Sequence, residues 1–159
     1  MRQFLILLLI VTGTAFSLRA NAQDNSVRQA SQEFERAVLS WVSAEGTPGE
    51  NAAYEKMAVA RAGLVAYGTK ALDEITLLLE HKHENVRRGT AIVLLSIVTE
   101  HNLESQILLD KILLRMVEDP DQKTRHNLYH VSRKLIFNIR RSDRVEIQAA
   151  ESTPAAPRN

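Results

Sequence analysis

The stretch Ala71–Val98, reading ALDEITLLLEHKHENVRRGTAIVLLSIV, constrains the fold more than any other part of the chain. Apolar residues recur at helical spacing on both sides of a short polar break, His81-Lys82-His83, and Arg87-Arg88 opens the second segment. A looser copy follows at Leu109–Ile136, LDKILLRMVEDPDQKTRHNLYHVSRKLI, where Arg125 stands 38 positions after Arg87. One helical hairpin cannot bury its apolar face alone, so tandem copies point to stacked hairpins sharing a core. An aromatic content of only 5%, beside abundant Ala and Leu, suits helices that approach closely.

The rest of the chain reads the same way. Helical spacing begins near Val27, with Phe34, Ala37, Val38, Trp41 and Val42 on one face. Gly46–Glu50 breaks it: Thr47 and Glu50 have capping-box spacing, and Pro48 suits a first helical position. The next helix, Pro48–Tyr67, is expected to bury Ala53, Met57, Ala60 and Leu64. Gly63 and the alanines around it fit either close interhelical contact or plain helix preference. Gly68-Thr69 ends this helix, and Lys70–Glu80 follows along Leu72, Ile75, Leu78 and Leu79. After the histidine break, Val86, Thr90, Val93, Ile97 with Ala91, Leu94, Val98 make a face broad enough for neighbours on two sides.

Glu100-His101-Asn102 is the next break, and Leu103–Glu118 is expected to turn Ile107, Leu108, Ile112, Leu113, Met116 and Val117 inward. Asp119 then reads as an N-cap, with Pro120 first in the helix and Gln122 completing the box. The last helix is expected to bury Leu128, Val131, Leu135, Ile136 and Ile139 and to end near Arg141–Ser142. Six helices in three hairpins result, and short breaks make neighbours antiparallel.

Met1–Ala22 has the form of a secretory signal. Arg2 precedes an apolar run, and Ala20-Asn21-Ala22 offers a cleavage site before Gln23. A membrane anchor is the other reading, but Phe4–Leu18 falls short of the roughly 20 residues a spanning helix needs. The expected organisation is a signal peptide at 1–22, a helical repeat domain at 23–142 and a flexible tail at 143–159. The expected address is the periplasm, with secretion the alternative. The chain has no cysteine, which excludes disulfides, thiolate metal sites and cysteine nucleophiles.

The order of an apolar helix, then Asp-Pro-Asp-x-x-x-Arg, then a second apolar helix resembles HEAT-type repeats. Glu118-Asp119-Pro120-Asp121-Gln122-Lys123-Thr124-Arg125 carries the likeness best. His83-Glu84-Asn85-Val86-Arg87-Arg88-Gly89-Thr90-Ala91 is similar to the family's Val-Arg-x-x-Ala opening, and Gly68-Thr69-Lys70-Ala71-Leu72 to its Gly-x-x-Ala-Leu entry. The likeness covers Thr69–Ile139. It implies a short right-handed α-α superhelix of the HEAT or armadillo type, with about three hairpins. It also implies hydrogen-bonded ladders between repeats, built from an Asp and the Arg six residues on. Asp119 and Arg125 keep that spacing, whereas His81 stands where the Asp should precede Arg87.

Candidate chemistry is sparse. His126 and His130, at i and i+4, have a spacing that can chelate a divalent metal, although two exposed or partly buried histidines are the simpler reading, since no third ligand is marked. Neither a Gly-rich phosphate loop nor a Gly-x-Ser-x-Gly elbow occurs. The segment after Asp110 carries ten Lys/Arg against six Asp/Glu, too dilute for a nucleic-acid surface. The expectation is therefore a non-enzymatic interaction module without a cofactor, binding a protein or peptide, with Arg88, Arg133, Lys134, Arg140 and Arg141 as partner-binding candidates. A metal protein using His126 and His130, or a binder of an anionic ligand on the basic last helix, is the alternative. Uncapped end repeats also favour self-association or docking onto a larger assembly.

Overall fold

The computed structural model describes residues 24–152, so the expected signal at 1–22 and the prolines of the tail lie outside the described residues. No strand occurs among the described residues, and the expected all-α class is observed. Six α-helices follow one another: α1 over 24–44, α2 Glu50–Ala66, α3 Leu72–Leu78, α4 Glu84–Glu100, α5 Gln106–Glu118 and α6 Gln122–Ser152. A 3₁₀ turn, Gly68–Ala71, precedes α3. The chain divides into two compact units, Met1–Glu74 and Ile75–Asn159, with the boundary inside α3.

In the first unit, Val27, Phe34 and Val38 of α1 and Ala53, Met57 and Leu64 of α2 are buried. Both sets fall on one face at helical spacing, as the periodicity requires. Trp41 meets Tyr54 edge-on, with ring centroids 6.1 Å apart. The link between the helices departs from expectation. α2 begins at Glu50, so Pro48 lies in the turn. Thr47 Oγ1 accepts from the Gly49 N–H at 3.2 Å, and the Glu50 carboxylate accepts from the Gly46 N–H at 2.9 Å. The two box residues thus close the turn rather than cap a helix starting at Pro48. Gly46, at φ +74°, supplies the left-handed step that this turn needs. Gly63 is exposed, and a Cβ placed on it would meet nothing within 4 Å, so the close interhelical contact open to it is not made. Gly68, at φ +58°, ends α2 where expected.

In the second unit α3 stops at Leu78, and its last turn continues as tighter bonds, Leu79 N–H to Thr76 O and Glu80 N–H to Leu77 O. α6 packs against both α4 and α5. The broad face read on α4 is buried in full: Val86, Thr90, Ala91, Val93, Leu94, Ile97 and Val98. Leu128, Val131 and Leu135 of α6 are inaccessible to water. Asn102, at φ +45°, terminates α4 in a Schellman-type turn, with the Leu103 N–H on Val98 O at 3.2 Å. Asn138, buried on α6, donates to Val98 O at 3.2 Å and to Leu103 O at 3.0 Å, which ties α6 to the turn that ends α4.

Three expectations for this unit need correction. α5 begins at Gln106, capped by Ser105, whose side chain accepts from the Leu108 N–H. Its inward residues are Leu108, Leu109 and Ile112, while Ile107 and Val117 are 74% and 77% exposed. Apolar residues occupy more than half of this helix's circumference, so periodicity does not single out a face; packing against α6 does. Second, the N-cap of α6 is Asp121, not Asp119: Asp121 Oδ2 accepts from the Thr124 N–H and Oγ1 at 2.7 and 2.8 Å. Third, α6 does not end near Arg141–Ser142 but runs to Ser152. No Gly or Pro interrupts it before Pro154.

Candidate functional site

Two loops of the same hydrogen-bond design lie 38 residues apart. The side chain of the first loop residue accepts the N–H two positions on: His83 N–H to His81 Nδ1 at 3.1 Å, and Asp121 N–H to Asp119 Oδ1 at 2.9 Å. The third residue then caps the following helix, His83 through Nδ1 on the Asn85 N–H at 3.3 Å and Asp121 as described. The arginine six residues on returns to the loop carbonyls. Arg87 Nη1 donates to His81 O and Lys82 O at 2.9 and 3.1 Å, and Arg125 Nη1 to Asp119 O and Pro120 O at 2.7 and 3.1 Å. His81 therefore performs the local part of the role that Asp119 performs in the second copy.

The two loops are also joined to each other. Arg87 donates from Nε to Asp119 Oδ2 at 2.8 Å and from Nη2 to Oδ1 at 3.0 Å, with both side chains nearly excluded from water. Arg115 adds a second charge 3.4 Å from Asp119 Oδ2. Burial pushes the Asp119 carboxyl up, but the Arg87 fork, the Asp121 N–H and the two guanidinium charges outweigh it and hold it below the usual carboxylate range. Arg88 forms a second fork, on both oxygens of Asp121, and donates to Asn85 Oδ1 at 2.8 Å. The hydrogen bonds from Arg88, opposed by desolvation and supported by Thr124, hold the Asp121 carboxyl well below its ordinary value. The same bonds raise Arg88. Arg88, expected among the partner-binding residues, is thus committed to a fork inside the protein.

The other four candidates lie on the outer side of α6. Arg133, Arg140 and Arg141 are exposed and Lys134 is half-buried. Arg133 sits 5.7 Å over the Tyr129 ring and Lys134 5.3 Å over the Phe137 ring, so the cations and aromatics are interleaved. A shallow concavity of about 550 Å³ is lined here by Arg133, Phe137, Arg140, Arg141, Arg144 and Val145, among others. On the same face the Nε2 atoms of His126 and His130 are 3.1 Å apart, a hydrogen-bond distance in which one ring donates to the other. No third His, Cys, Asp or Glu joins them to make a metal-sized group among the described residues.

Several residues that build this region were not legible beforehand. Asp121 was read only as part of a spacing, although its position before Gln-Lys-Thr is a capping signal. Arg115 and Asn127 carried none; Asn127 donates to Arg88 O at 3.4 Å. Asn138 had a signal that was passed over, a lone amide on an apolar helical face that has to find a buried partner.

The chain matches no known family model, and comparisons with curated proteins and with solved structures give no significant match.

Proposed function

We propose that the chain is a short HEAT-like α-α superhelix of antiparallel hairpins that acts, without catalysis, as a protein-interaction module in the periplasm. The observation that carries this reading is the Arg87–Asp119 rung, together with the recurrence of its loop after 38 residues. A repeated loop whose arginine grips the next loop's aspartate is how stacked hairpins fix their register, and stacked hairpins present extended binding surfaces. Export rests on the signal-like form of Met1–Ala22. No helix among the described residues is long and apolar enough to cross a membrane. Large side chains left in water on α6, Tyr129 at 46% and Phe137 at 58% exposure, are of the kind that anchor interfaces.

The test is isolation of the tagged, processed chain from a cross-linked periplasmic extract, with the mature N-terminus read by mass. A stoichiometric protein partner and a start at Gln23 support the reading. An empty isolation, with monomeric chain that retains zinc through dialysis, overturns it in favour of the second reading, a metal protein. The 3.1 Å approach of His126 and His130 is the observation behind that alternative.

A further inference from the structure

We propose that the outer face of α6 is an unfilled stacking surface that docks an acidic segment of a partner protein, with Arg125 taking a carboxylate as Arg87 takes Asp119. The proposal rests on the interaction-module reading and names the chemistry of the partner.

The two copies correspond residue for residue at this point. α4 packs against α6, and Arg87, at the start of α4, receives the carboxylate that opens the next copy. Arg125 stands 38 positions later, and its Nη1 binds its own loop carbonyls as Arg87's does. In Arg87 the other edge, Nε and Nη2, grips Asp119. The same edge of Arg125 makes no hydrogen bond to any described residue, and the side chain is only half-buried. The ladder therefore ends on a guanidinium fork shaped for one more carboxylate.

The charge of α6 fits the same occupant. Arg133, Arg140 and Arg144 recur at i, i+7 and i+11, which at 100° per residue places them within about 40° of one another over about 16 Å. All three are exposed. Of the acids of α6, Asp143 and Glu146 lie about 80° and 140° round the helix from Arg133, Asp143 on the side of Arg125, and Glu151 follows in line seven residues after Arg144, so the line carries three arginines to one acid.

The residue types on this face also favour a protein segment. Arginines interleaved with Tyr129 and Phe137 have the composition of protein-interface centres. Arginine pairs with carboxylates through two parallel bonds, where lysine acts as a point charge. A helix that lies in a lipid surface needs a continuous apolar face in addition to cations, and the apolar face of α6 is occupied by the core residues Leu128, Val131 and Leu135. The stripe thus suits a protein segment rich in Asp and Glu.

The test places a photoreactive benzophenone amino acid at Phe137 of the full chain, expressed in its own cells, and maps the adducts by mass spectrometry. The expected result is an adduct on a segment rich in Asp and Glu, with the yield reduced about tenfold or more in the double variant R140E/R144E, the loss of about 1.4 kcal/mol of binding. Both positions are exposed, so helicity and thermal midpoint should hold. Arg125→Lys keeps the charge and loses the fork, and it is expected to lower the yield several-fold. An adduct only on phospholipid, an adduct indifferent to charge reversal, or no adduct at Phe137 overturns the proposal. Adducts to protein from a probe at Val59, 73% exposed on α2, with none from Phe137, overturn it while leaving the interaction-module reading intact.

Discussion

Arg87 on α4 and Asp119 just before α6 hold each other through two parallel hydrogen bonds of 2.8 and 3.0 Å, across 32 positions of sequence and nearly excluded from water. Taking both charges from water is costly, and the fork geometry with the carbonyls of His81 and Lys82 offsets that cost. Such a pair adds little net stability over an apolar pair of the same size, because desolvation cancels most of the attraction. Removing one partner and removing both should then have very different consequences.

Arg87→Ala or Asp119→Ala, each leaving a buried charge without its main partner, should destabilise the fold by about 3–5 kcal/mol. The double variant Arg87→Met/Asp119→Leu should lose much less than the sum of the two. Urea unfolding of the four species closes the cycle. Single variants costing under about 1 kcal/mol would show that the rung is wet in solution.

Acid should act through the same two loops. Asp119 and Asp121 both titrate below their ordinary values in the folded chain. On lowering pH the unfolded chain takes up these protons first, near pH 4, while the folded chain resists. The stabilisation is thus complete above about pH 5 and is lost as pH falls through the folded-state values. Asp121→Asn should flatten this acid limb, measured as thermal midpoint between pH 2 and 7. An unchanged slope would place the acid sensitivity elsewhere.

Two glycines should respond in opposite directions. Gly63 lies within α2, and a Cβ there meets nothing within 4 Å, so Gly63→Ala should stabilise by about 0.5–1 kcal/mol. Gly68 has φ +58° and is buried, so Gly68→Ala should destabilise by about 1–2 kcal/mol. Thermal midpoints of the two variants, which should straddle that of the parent, check both together.

The helices were legible because their apolar spacing is set by what they bury. The α4 face from Val86 to Val98 shows this best, since a helix with neighbours on two sides writes its environment into most of its residues. α5 failed for the opposite reason: Ile107 and Val117 are as apolar as Leu108 and Ile112, and only the placement of α6 decides which are covered. The Asp119-to-Arg125 spacing was visible, but its use was not. Spacing along one loop shows that Arg125 can reach back to its own carbonyls, whereas the Arg87–Asp119 bond joins different loops and needs the tertiary fold. The Arg88 fork was hidden for the same reason, because an arginine on a helix looks solvated until Asp121 arrives opposite it.

The copies differ most at their first and third loop residues, where His81 and His83 stand in for Asp119 and Asp121, and that difference yields a last prediction. His83 caps α4 through Nδ1 at 3.3 Å from the Asn85 N–H, whereas Asp121 caps α6 at 2.7 Å. An imidazole nitrogen accepts only while it carries no proton, and it brings no negative charge to the helix N-terminus. His83→Asp should shorten the cap and add a favourable charge–dipole interaction, raising stability by about 0.5–1 kcal/mol. The gain should appear as slower hydrogen exchange in the first turn of α4, at Asn85 and Val86, with exchange in the first turn of α6 unchanged. Equal slowing at both helices would mean a global effect rather than a stronger cap. Faster exchange at Asn85 would mean that His83 serves the loop through a contact that aspartate cannot make.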